Sequence, residues 1–307
     1  MKDQADNLRK AIERLGPVRI AEHSDEPYAR RGTGPPRVIA VTSGKGGAGK
    51  TSVSVNLALA LCEKKYKTLI IDADIGLANV EVLFGILPGY SLSDAANNTK
   101  PLREIICGGP RGVKLISGGS GVEELARMGE SQTALFISEL SELDDEFDII
   151  LIDTGAGISD TVLSMTVAAD EAVIIITPEP TSLTDAYALI KAIALRDRNK
   201  PVRIIINKAE NEAEAAGIMS KLAQVADKFL DLKIHKLGYI LNDPLVVRSI
   251  KQQQPFILSS PYSRTSNRIR EIALRLMDGA ELEQFEKNRG LTGFLDRAAK
   301  FVNMQFK

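Results

Sequence analysis

The sequence predicts an α/β fold: a doubly wound, mostly parallel sheet with helices on both faces. Short β-branched runs recur along the chain as VIAVTS, TLIID, VKLIS, DIILID, AVIIIT, VRIIIN and LGYI. Runs this apolar suit strands covered on both sides, as parallel strands are. Stretches of helical length separate them, which is the spacing of strand–helix–strand crossovers. The first run leads straight into a Gly-rich turn and then the apolar helix VSVNLALAL. With 307 residues, 44% of them hydrophobic, the chain has material for one large core.

Taken in order, the elements divide into a body and two appended ends. Residues 1–15 place Ala5, Leu8, Ile12 and Leu15 on one helical face, with Asp3 as a capping residue. Residues 16–36 hold Pro27, Gly32, Gly34, Pro35 and Pro36 and read as an extended linker. The body spans 37–280, its last helix carrying Ile269, Ile272, Leu276 and Met277. A polar linker at 281–290 leads to an amphipathic helix at 291–307.

Charge and composition narrow the class. The 39 Lys and Arg against 40 Asp and Glu give a net charge of -1, which argues against a dedicated nucleic-acid binder. Two cysteines, Cys62 and Cys107, form neither a disulfide framework nor a metal-site spacing, and fit a reducing cytoplasm. No apolar run is long enough to span a bilayer, and the start lacks the apolar stretch of a signal peptide.

The chemistry concentrates after the first strand. Gly44, Lys45, Gly46, Gly47, Ala48, Gly49, Lys50 and Thr51 match the P-loop pattern between a strand and a helix. Glycines let backbone N–H groups turn toward phosphate oxygens, and the helix start, with Ser52 next in line, adds partial positive charge. Lys50 is expected at the outer phosphates and Thr51 on Mg²⁺. Two strand ends carry carboxylates to the same sheet edge: Asp72 and Asp74, followed by Gly76, and Asp153, followed by Gly155. Asp153 has the context for holding the metal through water, and Gly155 leaves room for a switch loop.

The extra lysine, Lys45, makes the loop resemble the deviant Walker A ATPases of the MinD/ParA class. That resemblance implies a P-loop NTPase fold of the MinD type and a homodimer that sandwiches ATP, with Lys45 crossing to the partner's nucleotide. It assigns Asp74 to the attacking water, Asp72 to the metal-side network and Asn207, in VRIIINK, to the adenine. Lys208-Ala209-Glu210 follows Asn207, close to a guanine-reading box but with Glu for Asp, so the sequence favours ATP while leaving GTP as an alternative. Leu241 replaces the usual proline of a second base loop.

The two ends narrow the class further. From Lys287 the tail places Leu291, Phe294, Leu295, Ala298, Phe301 and Val302 on a helical face, and Lys287, Arg289, Arg297, Lys300 and Lys307 outnumber the single acid Asp296. An aromatic-rich apolar face with a cationic remainder is the make-up of an interfacial membrane helix, although a helix packed on the body shares it. At the other end Asp3-Gln4-Ala5-x-x-Leu8-Arg9 resembles the DQAxxLR motif of FlhG proteins, also called YlxH or FleN. This resemblance covers nearly the whole chain. It implies a regulator of flagellar number and placement that dimerises with ATP, binds the anionic cytoplasmic face of the cell membrane in that state, and stimulates the GTPase FlhF through the N-terminal motif. Flagellar C-ring proteins such as FliM, FliN or FliY are further implied partners. A MinD-type division-site ATPase and a ParA-like DNA-partitioning ATPase are the alternatives.

Overall fold

The computed structural model describes residues 34–74, 79–118, 121, 124, 128, 130–278 and 290–305. The N-terminal motif, most of the 16–36 linker, Gly76 and most of the second linker lie outside the described residues.

Eight strands form one sheet in the order β3-β4-β2-β5-β1-β6-β7-β8. They are β1 (Arg37–Ser43), β2 (Thr68–Ala73), β3 (Cys107–Gly108), β4 (Lys114–Ile116), β5 (Ile149–Ala156), β6 (Glu171–Ile176), β7 (Val202–Ala209) and β8 (Ile234–Leu241). All neighbours pair in parallel except the β3–β4 pair. The seven apolar runs correspond to seven of these strands. β3 was not legible, because two residues, one of them glycine, carry no periodicity.

Helices cover both faces. In chain order they are α1 (Lys50–Glu63), α2 (Asn79–Phe84), α3 (Leu92–Ala96), α4 (Glu130–Asp144), α5 (Asp160–Ala168), α6 (Pro180–Arg196), α7 (Glu212–Leu230), α8 (Pro244–Lys251), α9 (Phe256–Ser259), α10 (Arg264–Met277) and α11 (Gly290–Gln305). The period-2 alternation of strand side chains sorts the core between them. Ile39, Val41, Leu151, Val173 and Ile205 face α1 and α10, while Val38, Ala40, Ile150 and Ile152 face the opposite layer with α4 and α11. Ile174, Ile204 and Ile206 extend that second layer under α6 and α7. Helix α1 is buried on nearly every side, which explains why its sequence is apolar all round rather than striped.

Two consequences position the site. The connection after β1 runs one way, to β2, and the connection after β5 runs the other way, to β6, so the sheet's switch point lies between β1 and β5, where open parallel sheets bind ligands. Asp72 and Asp153 also stand directly opposite one another on neighbouring strands.

The tail helix differs from the expectation of a free lipid-facing element. Helix α11 lies against α4 and α5. Leu291 and Phe294 are buried, and Leu295 packs against the same core as Phe136, Leu140 and Leu143. Its first turn is held by Asp144, whose carboxylate accepts from the Leu291 N–H at 2.6 Å and from the Thr292 hydroxyl at 3.0 Å. Arg297 donates to the Ala168 carbonyl at 2.6 Å and to Asp170 at 2.8 Å. An amphipathic stripe suits a protein groove as well as a bilayer, and in this conformation the groove holds it. The side chains of Lys300, Phe301 and Val302 lie outside the described residues.

Candidate nucleotide site

The P-loop is built by close backbone contacts. Gly49, immediately before α1, has φ of 89°, a left-handed conformation that favours glycine. Gly44 lies so near the backbone of α6 that an added Cβ would come within 2.5 Å of the Asp185 carbonyl carbon. Gly46 and Gly47 face open space, and Ala48 is buried beneath the loop.

Lys50 is buried with its ammonium 3.2 Å from Asp153 Oδ2 and 3.7 Å from Asp74 Oδ2. These are ion-pair distances without hydrogen-bond geometry, and both Lys50 Nζ and Asp153 Oδ2 are buried polar atoms lacking a hydrogen bond. Asp153 itself is fully buried, takes the Ser54 hydroxyl at 2.7 Å on its other oxygen and interacts with the Thr51 hydroxyl. Burial pushes its carboxyl above the usual carboxylate range, with Lys50, Ser54 and Thr51 pulling it back. Asp72 is pushed up to about 7, first by burial and then by the neighbouring charge of Asp153. Lys50 and Asp153 are thus a cation and a carboxylate held out of water with hydrogen-bonding capacity left over, an arrangement that costs free energy unless a ligand completes it.

Those orphaned atoms match the needs of a magnesium-bound nucleotide. The residues present fit: Lys50 for phosphate oxygens, with Thr51 and Asp153 on the metal side. Among the described residues, no group of three or more His, Cys, Asp or Glu side chains could hold a metal alone. Magnesium of this kind draws much of its coordination from phosphate and water.

Asp74 borders a cavity of about 160 Å³ with Thr154, Gly155, Ser159 and Met165 on its walls. Gly155 stands beside it, where an added Cβ would lie 3.4 Å from Asp74 Oδ1. Asp74 therefore combines attraction to Lys50 with space on its other side. Asp72 accepts backbone amides on both of its oxygens, from Asp74 on Oδ1 and from Asn79 and Val80 on Oδ2.

Asn207 and Lys208 reach the loop from β7. Asn207 Nδ2 donates to the Ala48 carbonyl at 2.7 Å, and Lys208 Nζ donates to the Gly47 carbonyl at 2.8 Å. In this structure the Asn207 amide nitrogen braces the P-loop.

Lys45 shows a contact that motif reading missed. Its ammonium lies 2.8 Å from Glu179 and 3.0 Å from the Thr181 hydroxyl, both at the start of α6. The ammonium lowers the Glu179 carboxyl below its ordinary range. The signal was present in Glu179-Pro180-Thr181, where proline fixes a helix start just after an acid.

The ParA family, described as NUBPL iron-transfer P-loop NTPase, matches residues 35–277. The chain belongs to this family. It is therefore a P-loop ATPase, and its similarity is marked within the FleN–YlxH branch. The antiactivator FleN of Pseudomonas aeruginosa is 38% identical over 242 residues, covering 79% of this chain and 86% of that protein. The flagellum site-determining protein YlxH of Helicobacter pylori is 37% identical over 271 residues, covering 87% and 90%. Among solved structures, MinD in the Aquifex aeolicus MinC:MinD cell division complex matches with a TM-score of 0.63 and 27% identity over 79% of this chain and 96% of that one. MinD of Pyrococcus horikoshii complexed with Mg-ADP shares the fold at a TM-score of 0.62 and 23% identity, covering 78% and 96%.

Proposed function

We propose that this ParA-family ATPase is a nucleotide-governed regulator of flagellar number and placement. ATP pairs two copies, the pair resides on the cytoplasmic face of the membrane, and hydrolysis separates it. The observation that carries the reading is the second P-loop cation. Lys50 already lies toward the phosphate position, while Lys45 rests exposed on Glu179 and Thr181. A lysine held outside its own site by a surface ion pair can exchange that weak partner for another copy's phosphates. There it offsets charge that develops in phosphoryl transfer.

Within each copy Lys50 binds the outer phosphates, the P-loop amides orient them, and Asp74 accepts a hydrogen bond from the attacking water. Magnesium, when bound by Thr51 and through water by Asp153, supplies charge neutralisation at the phosphates. Asn207 contacts the adenine through the amide oxygen that the P-loop does not use.

Helix α11 supplies the membrane step. Among the described residues, no helix is long and apolar enough to cross a membrane. Leu291, Phe294 and Leu295 would enter lipid only after leaving α4 and α5. Helix α5 follows the 157–159 bend after β5, and Ser159 lines the same cavity as Asp74, so a shift there on nucleotide binding reaches the seat of α11. Two helices on one dimer then bind lipid with the gain of high effective concentration. At the other end Asp3, Gln4, Ala5, Leu8 and Arg9 act on the GTPase FlhF, and the flagellar character follows from likeness to FleN and YlxH. The C-ring proteins FliM, FliN or FliY are the assembly's structural partners in this reading.

The test is size-exclusion chromatography with light scattering on the Asp74→Ala chain, in ATP and in ADP, with flotation on anionic phospholipid vesicles in parallel. Doubled mass and flotation in ATP alone are expected. A monomer in ATP, or equal flotation in ADP, overturns the switch.

A further inference from the structure

The mechanism above leaves one buried carboxylate without a task. Asp72 is 1% exposed and sits at the end of β2, directly opposite Asp153. Strand alternation turns both toward the layer holding α1 and α2, since Ile70 and Leu151, two residues before each, belong to that core. The two carboxylates nevertheless hold different things. Asp153 faces side chains: Ser54, Lys50 and Thr51. Asp72 faces backbone. Its Oδ1 accepts from the Asp74 N–H at 3.1 Å, and its Oδ2 accepts from the Asn79 and Val80 N–H groups at 3.0 and 3.1 Å.

These three amides bracket the stretch from 74 to 80, and the last two belong to the opening turn of α2. One carboxylate therefore ties the backbone at Asp74 to the opening turn of α2. The carboxylate has a fixed base of its own. Gly118 packs so tightly on the Asp72 carbonyl that an added Cβ would lie 1.8 Å from the oxygen. Three backbone N–H groups thus converge on this one side chain. Turning Asp72 toward a cation would strip partners from buried amides, which is costly.

We infer that Asp72 is a positioning residue for hydrolysis, setting the backbone of Asp74 relative to the Lys50–Asp153 pair through three amide hydrogen bonds, and that it does not ligate the metal. The inference rests on reading Asp74 as the residue that orients the attacking water. The difference between the two aspartates is then a division of labour. Asp74 has a cavity to move in, and Asp72 limits that movement to its side chain.

The test combines kinetics with hydrogen exchange on the full chain. Asp72→Asn keeps one acceptor but removes the charge and the other acceptor. It should lower kcat about 10- to 100-fold through misplacement of Asp74, while nucleotide affinity and the Mg²⁺ concentration for half-maximal activity stay at wild-type values. Amide exchange at Asp74, Asn79 and Val80 should rise about fivefold, the scale of one weakened hydrogen bond, with the rest of the sheet unaffected. A raised Mg²⁺ requirement, or activity restored by excess Mg²⁺, overturns the inference in favour of a metal ligand. Exchange that rises throughout the sheet overturns it in favour of a general folding role. If the variant fails to fold, wild-type protein decides. Protection at Asn79 and Val80 should persist when Mg²⁺ and a non-hydrolysable ATP analogue are added, and its loss would show the carboxylate leaving for the metal. Asp74→Ala separates the two readings: it should abolish hydrolysis without changing exchange at Asn79 and Val80. Activity retained in Asp74→Ala removes the underlying reading, whereas unchanged kcat in Asp72→Asn removes only this inference.

Discussion

The two edges of the sheet handle buried charge in opposite ways. At the edge where β1, β6 and β7 begin, Glu171 is fully buried between two arginines. Arg37 pairs with one of its oxygens, and Arg203 Nε donates to the other at 2.6 Å. Arg37 continues to the Leu276 carbonyl at 3.1 Å, leaving its Nε as the unpartnered atom of the group. Nearby, Lys200 donates to the Ala169 carbonyl, and Asp170 takes both the Val38 N–H and Arg297. At the edge where the strands end, Lys50 and Asp153 approach within ion-pair range and leave hydrogen-bonding capacity unused. One edge is closed by protein alone, and the other is arranged for something brought from outside. At the closed edge a single arginine nitrogen is left over, whereas at the open edge a cation and the carboxylate facing it are both left incomplete.

The largest expected effect is at the closed edge. Glu171→Ala leaves Arg37 and Arg203 buried without their shared counter-charge and should cost about 3–5 kcal/mol by denaturant unfolding. Turnover per folded molecule should stay at the wild-type value. A smaller loss would mean that solvent reaches the two arginines.

At the open edge the weight falls on chemistry. Lys50→Met should cut hydrolysis about 100-fold or more, the scale of losing an electrostatic contact to the transition state. Its unfolding free energy should fall less than that of Glu171→Ala, because Asp153 keeps Ser54 and can take up a proton. A variant destabilised as much as Glu171→Ala would break the comparison.

The smallest effect is a pH dependence at the closed edge. Burial lowers Lys200 to about 8, against attraction from Asp197 and with added repulsion from Arg297. The unfolded chain holds that proton up to the ordinary lysine range near 10.5. Between these values the unfolded state binds more protons, so this group adds stability as pH rises from about 8 to 10. Thermal melts of wild type against Lys200→Met across that interval should show the rise in the former and its loss in the latter. Parallel curves would place the lysine in water.

The edges also differ in how far they could be read in advance. The P-loop, the carboxylate strand ends and seven strands were visible because each rests on local spacing: glycines at fixed offsets and apolar runs followed by acid. The partners at the closed edge were not visible, since Arg37, Glu171 and Arg203 come from separate strands and meet only through sheet order. Asp72 shows the limit within the site itself. Type and position placed it beside Asp153, but which atoms each carboxylate faces depends on where the Asp74, Asn79 and Val80 amides come to lie. Lys45 resting on Glu179 was only half visible, since the acid before Pro180 marks a helix start but not which lysine reaches it, and the seating of α11 was hidden because one amphipathic stripe serves two environments.

That seating has a practical consequence for anyone shortening the protein. Removing α11 would take Leu291 and Phe294 from the core they share with Phe136 and Leu140, and Arg297 from Asp170. The body would be left with a greasy furrow along α4 and α5. A truncated chain that clumps or sticks to surfaces would then be reporting its own wound, and loss of flotation in such a chain would say nothing about lipid. Point substitutions that face away from the furrow are the cleaner instrument.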